Sequence, residues 1–323
     1  MKYALGVDAG DTFTDAVLFD LEEKRVEEVT KVRTTHDNLS VGIFDAIDEV
    51  IGEFDPDNII QVSLSSTLAT NSIVEGRGGP VGLLTLGWKP EEDQEFPRSR
   101  RGYVPGRFNP RGEELEPLDR KKAVSFVEEW ESQVVGFAVS GYFGVRNPAH
   151  ENQVREIIED RTGKPVITGH DLSPQLGFYE RAVTAVLNVK VVPIINSFVD
   201  SARLALRERG IYAPLLMVKS DGTLAKSSEV KKKPIETIFS GPAASAIGAR
   251  WLADKDDGVV IDIGGTTVDV AVLRDGLPTL ANSGVSVGEW RTKVRSLDLR
   301  SIGLGGDSQI ELDKEGNLVF GPG

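Results

Sequence analysis

The sequence predicts an α/β fold with mixed sheets, divided into two domains. Short apolar segments of strand length alternate with longer amphipathic segments over most of the 323 residues. Apolar residues make up 40% of the chain, which is enough for a substantial core. In addition, a strand-turn-strand pattern at the N-terminus recurs near residue 262, as expected of a duplicated domain.

The predicted elements of the first half follow from apolar spacing and from turn residues. Apolar residues recur every four positions from Leu39 to Ile51, on one face of a helix, and Gly76 closes a second helix. Residues 88–117 break the alternation because they are rich in proline, glycine and charge. They are predicted to form a long loop or small insertion, either functional or merely solvated. Strands are predicted at 3–9, 15–20, 26–34, 59–65 and 80–86, and helices at 37–54 and 66–76.

The alternation resumes after this segment. A helical stretch at 178–209 contains Pro193, which is expected to divide it because proline lacks an N–H and clashes with the preceding turn. Small residues at 241–253 predict a helix that packs closely, and the chain from residue 258 on is rich in strand formers. The other elements predicted here are helices at 120–133 and 149–161 and strands at 134–140, 165–168 and 213–220.

Composition excludes several classes of function. Acidic residues outnumber basic ones by 50 to 37, for a net charge of −13, which argues against a nucleic-acid partner. The absence of cysteine excludes disulfides, zinc–thiolate sites and thiol catalysis. The three histidines, His36, His150 and His170, are too scattered to predict a metal cluster. No stretch is predicted to span a membrane and the N-terminus does not resemble a signal peptide, so the cytoplasm is the expected location.

The recurring pattern is D-x-G-[DG]-T-x-x-D followed by apolar residues. It occurs in "DAGDTFTDAVLFD" at 8–20 and in "DIGGTTVDVAVLRDG" at 262–276, each time after an apolar strand. One copy is a weak indication of phosphate binding, because such turns between strands are common. Two copies of one pattern are a much stronger indication. The equivalent residues are Asp8 and Asp262, Gly10 and Gly264, Thr12 and Thr266, and Asp15 and Asp269.

The residue types in each copy suit a phosphate-binding hairpin. The turn needs positive φ angles, which glycine supplies and aspartate tolerates. Exposed backbone N–H groups and the threonine hydroxyl can then point at phosphate oxygens. The aspartate at the end of the preceding strand, Asp8 or Asp262, can hold Mg²⁺ through water. Two such hairpins that face each other would grip the phosphates of one nucleotide, and no Walker A pattern competes with them.

These motifs resemble the first and second phosphate motifs of the superfamily of actin, sugar kinases and heat-shock-chaperone ATPases. The segment "SGPAASAIGARWL" is similar to the connecting helix that precedes the second motif there. A more specific resemblance, over essentially the whole chain, is to the hydantoinase/oxoprolinase A family of ATP-dependent hydantoinases, 5-oxoprolinases and acetone-type carboxylase subunits. It rests on the ordered motifs "DAGDTFTDAVL", "SSTLATNSIVEGRGGPVGLLT", "GYFGVRNPAHE", "GFYERAVTAVLN", "SGPAASAIGA", "DIGGTTVDVAVLRDG" and "SIGLGGDSQ".

The resemblance implies ribonuclease-H-like mixed sheets of the actin and chaperone ATPase type. Residues 1–245 are then expected to form a first ATPase domain, with an insertion at 88–118 and an extra helical segment at 175–235. Residues 246–323 are expected to begin a second ATPase domain. The adenosine-binding motif of the superfamily lies well beyond the second phosphate loop, so the chain is expected to be the N-terminal part of a longer protein.

The resemblance also implies an enzyme that uses ATP and Mg²⁺ to hydrolyse a cyclic amide of the hydantoin or 5-oxoproline type. Phosphorylation of the carbonyl oxygen would create a good leaving group, so that water can open the ring. The implied catalytic residues are Asp8, Asp262 and Thr12, with both aspartates at the metal, and the implied partner is a second, B-type subunit. The implied nucleotide-binding residues are Gly10, Asp11, Thr12, Thr14, Gly264, Gly265, Thr266, Thr267, Gly305 and Gly306.

Several positions leave alternatives open. Asp11 replaces the glycine usual in the first loop, and Gly241 stands where chaperone ATPases carry an acid. Segment 65–76 is either a capped helix or part of the phosphate site, and polar residues at 180–188 line either the cleft or the surface. For the whole protein, the alternatives are the ATPase subunit of an acetone-type carboxylase and a nucleotide-gated switch without a small-molecule substrate.

Overall fold

The fold is described from a computed structural model that covers residues 1–35, 39–265 and 267–322. Its helices are α1 (Leu39–Ile51), α2 (Leu68–Val74), α3 (Arg120–Trp130), α4 (Ala149–Thr162), α5 (Gly169–Leu172), α6 (Phe178–Glu208), α7 (Ser227–Val230) and α8 (Ser240–Ala253). Short 3₁₀ helices lie at Pro56–Asn58, Glu131–Gln133 and Pro234–Thr237.

The strands begin with β1 (Tyr3–Ala9), β2 (Phe13–Asp20), β3 (Arg25–Arg33), β4 (Ile59–Ser66), β5 (Val81–Leu86), β6 (Ser99–Val104), β7 (Arg107–Phe108), β8 (Glu114–Glu116), β9 (Phe137–Gly141), β10 (Val166–Thr168), β11 (Leu215–Val218) and β12 (Leu224–Lys226). They continue with β13 (Gly258–Ile263), β14 (Val268–Arg274), β15 (Leu277–Pro278), β16 (Leu280–Ala281), β17 (Ser286–Val287), β18 (Trp290–Arg291), β19 (Ser296–Leu297), β20 (Arg300–Ile302), β21 (Ser308–Leu312) and β22 (Leu318–Pro322).

The largest sheet has six strands in the order β12-β11-β4-β1-β2-β3. β1 pairs antiparallel with β2 through a tight turn and parallel with β4. Alternate residues of β1 are buried, as the period-2 pattern of a strand with one core face requires, and α1 packs on β2 and β3. The parallel pairing brings the carboxyl ends of β1 and β4 together, with Asp8 directly opposite Ser65.

The second sheet is entirely parallel, in the order β10-β9-β5-β6. Residues of α3 and α4 pack on one face and residues of α6 on the other, so β5 is buried throughout. Part of the segment predicted as a loop or insertion therefore belongs to this sheet, because Ser99–Val104 forms β6 beside β5. The polar character of that strand suits its position at the sheet edge.

The helix α6 lies between the two sheets. Val183 and Leu187 belong to the core of the six-stranded sheet, whereas Ala182 and Val186 belong to the core of the parallel sheet. A helix that packs on both sides is apolar on both sides. By length and composition α6 could span a membrane, contrary to the sequence-based expectation, but 78% of its most apolar window is buried within the protein, as expected of a core helix.

Pro193 does not divide α6, contrary to the prediction, and the helix continues through it to Glu208. The proline side chain is exposed, so its ring lies on the solvent side of the helix. The neighbouring residues Val192 and Ile195 are buried in the cores, and this packing holds both halves of the helix in line. Tertiary contacts have outweighed the local helix-breaking preference.

The hairpin of β13 and β14 has the same form as that of β1 and β2 but a different environment. Val259, Ile261 and Ile263 occupy the positions of Leu5, Val7 and Ala9 in the repeat, and they are 62%, 60% and 70% exposed. Their counterparts in β1 are almost completely buried. Among the described residues, β13 pairs only with β14 and has no strand in the place that β4 takes beside β1.

Candidate functional site

The two copies of the sequence motif form equivalent hairpins. In the first, Ala9 lies opposite Thr14 and the N–H of Gly10 donates to the carbonyl of Phe13 over 3.0 Å. In the second, Ile263 lies opposite Val268 and the N–H of Gly264 donates to the carbonyl of Thr267 over 2.9 Å. The aspartates keep the same pairing, since Asp8 faces Asp15 and Asp262 faces Asp269. The sequence repeat is therefore also a repeat of strand register and turn geometry.

The two turns face each other across a narrow space. A Cβ atom on Gly265 would lie 3.3 Å from the Oγ1 of Thr12, in the first turn. It would also lie 2.8 Å from the Oδ2 of Asp307, a contact that real side chains do not make. Only a residue without a side chain fits at 265 with these neighbours in place. Thr266, the predicted phosphate ligand beside it, lies outside the described residues.

The first turn presents backbone donors to the solvent. Asp11 and Thr12 are exposed, and their N–H groups make no hydrogen bond to the part of the chain that the structure describes. The turn is held from the other side by Thr34, whose N–H donates to the carbonyl of Thr12 and whose hydroxyl donates to the carbonyl of Gly10. Free N–H groups on a braced turn are what an anion-binding loop requires.

Thr14 has a different role from the one predicted. Its side chain is completely buried, and its hydroxyl lies 3.0 Å from that of Thr34. Because the Thr34 hydroxyl donates to Gly10, the hydroxyl of Thr14 must donate to Thr34 and has no proton left for a phosphate. Thr14 therefore supports the turn from the core side. The sequence motif alone does not show whether a residue points into the core or into the space between the two turns.

Asp11 points away from the first turn and contacts α2. Its Oδ1 accepts a hydrogen bond from the Nδ2 of Asn71, which also donates to the hydroxyl of Thr67. The hydroxyl of Ser66 accepts from the N–H of Leu68 in the first turn of α2, but the N-cap residue is Thr67, whose side chain makes no capping hydrogen bond. Asn71 of the same segment reaches Asp11 in the first turn of the motif. The negatively charged side chain of Asp11, at a position where glycine is usual, therefore has a hydrogen-bond partner in α2.

Asp8 lies at the end of β1 in a restricted environment. Burial raises the pKa of its carboxyl, the hydrogen bond that the Ser65 hydroxyl donates over 2.6 Å opposes this, and the negative charges of Asp15 and Asp262 raise the pKa further. Across from it lies Gly241, on which a Cβ would be 3.6 Å from the Asp8 Oδ1. Gly241 itself contributes no side chain there, so Asp8 lies close to the backbone of α8.

The start of α8 is joined to the end of β4 beside Asp8. The N–H of Ser66 donates to the hydroxyl of Ser240, and that hydroxyl donates to the carbonyl of Ser66. Phe239, just before the helix, has a left-handed backbone with φ of 56°, and its N–H donates to the hydroxyl of Thr70. A non-glycine residue in this region is strained, and such strain is found most often near functional sites.

The two aspartates predicted to hold magnesium are close enough for the charge of Asp262 to affect Asp8. In the described residues, no three acidic or histidine side chains converge on a point where they alone could hold a metal. Mg²⁺ differs from metals that need such a cage, because it keeps several waters and is bound through one or two carboxylates together with phosphate oxygens. The donor set therefore suits Mg²⁺ only in the presence of a phosphate ligand.

The glycine pair near the C-terminus packs on the second turn. The N–H of Gly306 donates to the carbonyl of Gly264, and the N–H of Asp307 donates to the carbonyl of Gly265. Gly305 begins this loop, and its N–H donates to the hydroxyl of Ser308. The predicted residues Gly305 and Gly306 thus lie at the second turn. Asp307 was not among the predicted site residues, although it directly follows the glycine pair in the sequence.

The polar side chains predicted to line either the cleft or the surface include Arg181, Thr184 and Asn188, all of which are buried. The guanidinium of Arg181 donates to the carbonyl of Gly141, and the amide of Asn188 donates to the carbonyl of Lys232 and accepts from the N–H of Ile235. Buried polar groups need partners, and here they join α6 to neighbouring loops. His150 is likewise a buried helix residue, with its Nε2 at 2.7 Å from Glu114.

Comparison with known proteins identifies two family models that together match most of the chain. The model for the hydantoinase/oxoprolinase N-terminal region matches residues 4–162, and that for hydantoinase/oxoprolinase matches residues 181–323. Among curated proteins, the caprolactamase subunit alpha of Pseudomonas jessenii is 28% identical over 99% of this chain and 50% of its own length. The acetophenone carboxylase gamma subunit of Aromatoleum aromaticum is 27% identical, over 99% of this chain and 49% of its own length.

Solved structures show the same relationship. The ATP-dependent caprolactamase from Pseudomonas jessenii superposes with a TM-score of 0.81 at 25% identity, over 99% of this chain and 50% of that one. Nucleotide-free acetone carboxylase gives a TM-score of 0.81 at 23% identity, over 100% of this chain and 51% of that one. The chain thus spans about half the length of the relatives it matches.

Proposed function

Because this chain belongs to the hydantoinase/oxoprolinase family and has the actin-like ATPase fold, we propose that it binds ATP in an enzyme that hydrolyses a cyclic amide. The observation that carries the proposal is the meeting of two equivalent hairpins, turn against turn, at Thr12 and Gly265. Each hairpin turns its backbone toward the same space, beside the carboxylate of Asp8. Such an arrangement suits a chain of phosphates better than it suits a single anion.

In the proposed complex, each group of the site has a simple task. The exposed N–H groups of Asp11 and Thr12, with the hydroxyl of Thr12, bind phosphate oxygens from one side, and the turn at Gly264 and Gly265 binds them from the other. The fit is supported by Gly265, since a side chain there would fill the space between the turns. The loop at Gly305 and Gly306 braces the second turn and does not itself need to contact the nucleotide.

Asp8 and Asp262 would hold Mg²⁺ through water, and Ser65 fixes the orientation of the Asp8 carboxylate. When bound, ATP supplies a phosphoryl group that can activate a carbonyl oxygen. The residues of the chain then act by position and charge, since no nucleophile from the protein is required.

The names of the relatives support the cyclic-amide reaction and also the alternative. Caprolactamase acts on a cyclic amide by its name, whereas acetophenone and acetone carboxylases act on ketones. The geometry of the phosphate site serves either reaction, because both need only the activation of an oxygen atom. Several relatives are named as subunits, which supports a partner subunit for this protein and a shared active site. We place the complex in the cytoplasm as part of the same proposal.

The test measures phosphate release from Mg-ATP by the full-length protein with its partner subunit. Caprolactam, 2-pyrrolidone, 5-oxoproline and hydantoin are added in turn, followed by acetone or acetophenone with bicarbonate. Thr12→Ala, which removes an exposed hydroxyl, is compared with Thr30→Ala, which removes a hydroxyl on β3 outside the site. We expect a cyclic amide to stimulate ATP hydrolysis in the parent and in Thr30→Ala, with a loss of about tenfold or more in Thr12→Ala.

The outcomes separate the candidate functions. Stimulation by a ketone with bicarbonate, and by no cyclic amide, would replace the proposed reaction with carboxylation. ATP hydrolysis that responds only to a protein partner would favour the nucleotide-gated switch. Failure of the parent protein to bind Mg-ATP would contradict the assignment of the two turns as a phosphate site.

A further inference from the structure

A second cavity, of about 540 Å³, lies apart from the phosphate site. One wall is formed by the outer part of α6, including Val192 and Asn196, and another by the end of α4 and the start of β10. The third wall is the lysine run 231–233, which follows α7. In the sequence this run has the pattern of a solvated charged loop, but the fold turns it toward the cavity. The volume is sufficient for a small metabolite.

The lining is basic although the protein is acidic. Five basic residues and two acidic ones line the cavity, in a chain with a net charge of −13. Arg155 is paired with Asp171 and Lys231 with Asp200, so their charges are balanced. The ammonium groups of Lys164 and Lys233 donate only to backbone carbonyls, and the exposed Lys232 makes no ion pair with any described residue. Three cations without an ion-pair partner therefore share the lining with one carboxylate, that of Glu159, which is also unpaired within the described structure.

Two polar atoms of the lining are buried without a partner. They are the Oδ1 of Asn196 and the Nε of Arg155. A buried polar atom without a hydrogen bond is unfavourable, so such atoms are uncommon unless a ligand or water completes them. Asn196 is especially informative, because it lies on a helix whose other inward-facing residues are mostly apolar. The Oδ1 can only accept a hydrogen bond, whereas the Nδ2 of the same amide can donate to an anionic group of a ligand.

The rest of the lining is aliphatic. Val166, Ile167, Val189 and Val192 contribute side chains between the basic residues and Asn196. An inorganic anion has no hydrocarbon part, so it would leave the aliphatic wall of the cavity without a complementary group. A ligand with a charged end and a short hydrocarbon chain would match the lysines, the aliphatic wall and the amide together.

We propose that this cavity binds a small aliphatic carboxylate, with its charged group held by Lys232 and Lys233 and its polar far end by Asn196. The site is separate from the phosphate cleft, and the inference does not depend on the proposed ATP reaction. The lysine run is nevertheless joined to that cleft by a short segment, because residues 234–239 lead directly to Ser240 beside β4.

The test is calorimetric titration of the protein without nucleotide. Glutarate is the probe, glutaramide is its neutral equivalent, and inorganic phosphate tests charge alone. Lys232→Gln removes an exposed cation with no ion pair to lose, so it is not expected to affect folding. Asn196→Leu removes the unpaired amide while keeping the number of side-chain heavy atoms. Lys121→Gln, at an exposed lysine on α3 away from the cavity, is the matched control.

We expect glutarate to bind, glutaramide to bind at least tenfold more weakly, and Lys232→Gln and Asn196→Leu each to weaken glutarate binding about tenfold. Lys121→Gln should bind as the parent does. The proposal is overturned by the absence of glutarate binding at about 10 mM, by equal affinities in all four proteins, or by phosphate binding as tightly as glutarate with no effect of Asn196→Leu. These results leave the assignment of the phosphate site unaffected, because no nucleotide takes part.

Discussion

The carboxylate of Asp8 is held at the proposed phosphate site under conditions that favour its protonated form. Burial raises its pKa, and the nearby Asp15 and Asp262 add to this, while the Ser65 hydroxyl lowers it only in part. The folded protein therefore binds a proton at Asp8 more tightly than the unfolded chain does. The free energy of unfolding then falls as pH rises from the ordinary aspartate pKa through the raised folded value. This destabilising carboxylate is retained where the proposed chemistry requires it.

Asp8→Asn should separate stability from activity. The substitution removes the buried charge and keeps an oxygen for the hydrogen bond from Ser65, so we expect a higher melting temperature at neutral pH and a smaller decline of stability above about pH 4. ATP hydrolysis should fall by about 100-fold or more. Differential scanning calorimetry across pH and a phosphate-release assay measure the two effects.

Asp20→Asn is the matched control for this argument. Hydrogen bonds from the N–H groups of Glu23 and Glu22 lower the pKa of Asp20, so its ionised form stabilises the fold above the ordinary pKa and is lost as pH falls. Asp20→Asn should therefore reduce stability at neutral pH, the opposite of Asp8→Asn. A lower melting temperature for Asp8→Asn would show that burial does not control this carboxyl.

Asp11→Gly should bind Mg-ATP at least as tightly as the parent. The Asp11 carboxylate contacts Asn71 and not the turn N–H groups, so removing it takes away negative charge near the proposed phosphates without removing a ligand. Asn71→Ala frees the carboxylate and should weaken binding by a few-fold through repulsion. Titration calorimetry measures the affinity of the parent and of both variants for Mg-ATP. Clearly weaker binding by Asp11→Gly would make Asp11 a working ligand, through a metal ion for example.

At the scale of elements, the same hairpin occurs in two environments. Leu5 in β1 and Val259 in β13 are equivalent in the repeat, but Leu5 is completely buried under α1 and α6, and Val259 is 62% exposed. The register of a hairpin is set locally by its turn and by strand alternation. What covers the apolar face is set by other elements, and these differ between the two halves of the described structure.

This difference predicts unequal effects of equivalent substitutions in this chain. Leu5→Ala should lower the free energy of unfolding by about 2–5 kcal/mol, since it leaves a cavity in a packed core. Val259→Ala should change it by at most about 0.5 kcal/mol, since the side chain already contacts solvent. Urea unfolding of each variant provides the comparison. Similar losses for both would mean that the exposed face of β13 is covered in solution.

At the scale of the whole molecule, the candidate site exists only where two separate sheets approach each other. The turn of the β1 and β2 hairpin and the turn of the β13 and β14 hairpin meet at Thr12 and Gly265. Neither hairpin encloses a phosphate by itself. The gap between them is narrow enough that one added side chain would occupy it, so the proposed affinity depends on the spacing of the two sheets.

Gly265→Val should weaken Mg-ATP binding by about tenfold or more while the melting temperature changes little, because the new side chain fills the space between the turns and can displace the mobile end of Asp307. Gly303→Val is the control, since a Cβ there would meet no atom within 4 Å. Titration with Mg-ATP and a thermal melt of each variant distinguish the effects. Equal affinity in the two variants would remove Gly265 from the binding site.

The sequence by itself determined the α/β alternation, both hairpins, the family and the two copies of the motif, because turn residues and strand periodicity act over a few residues. Only the tertiary structure decided that the two turns face each other and which members of each motif point into the space between them. Thr14 is buried under the turn by Thr34, Ser65 reaches Asp8 across paired strands, and Asp307 packs on a turn far away in the chain. These contacts join distant segments, and their geometry depends on how sheets and helices pack. Long-range packing also explains why α6 continues through Pro193 and why the lysine run 231–233 lines a cavity, because packing outweighs local preference at both places.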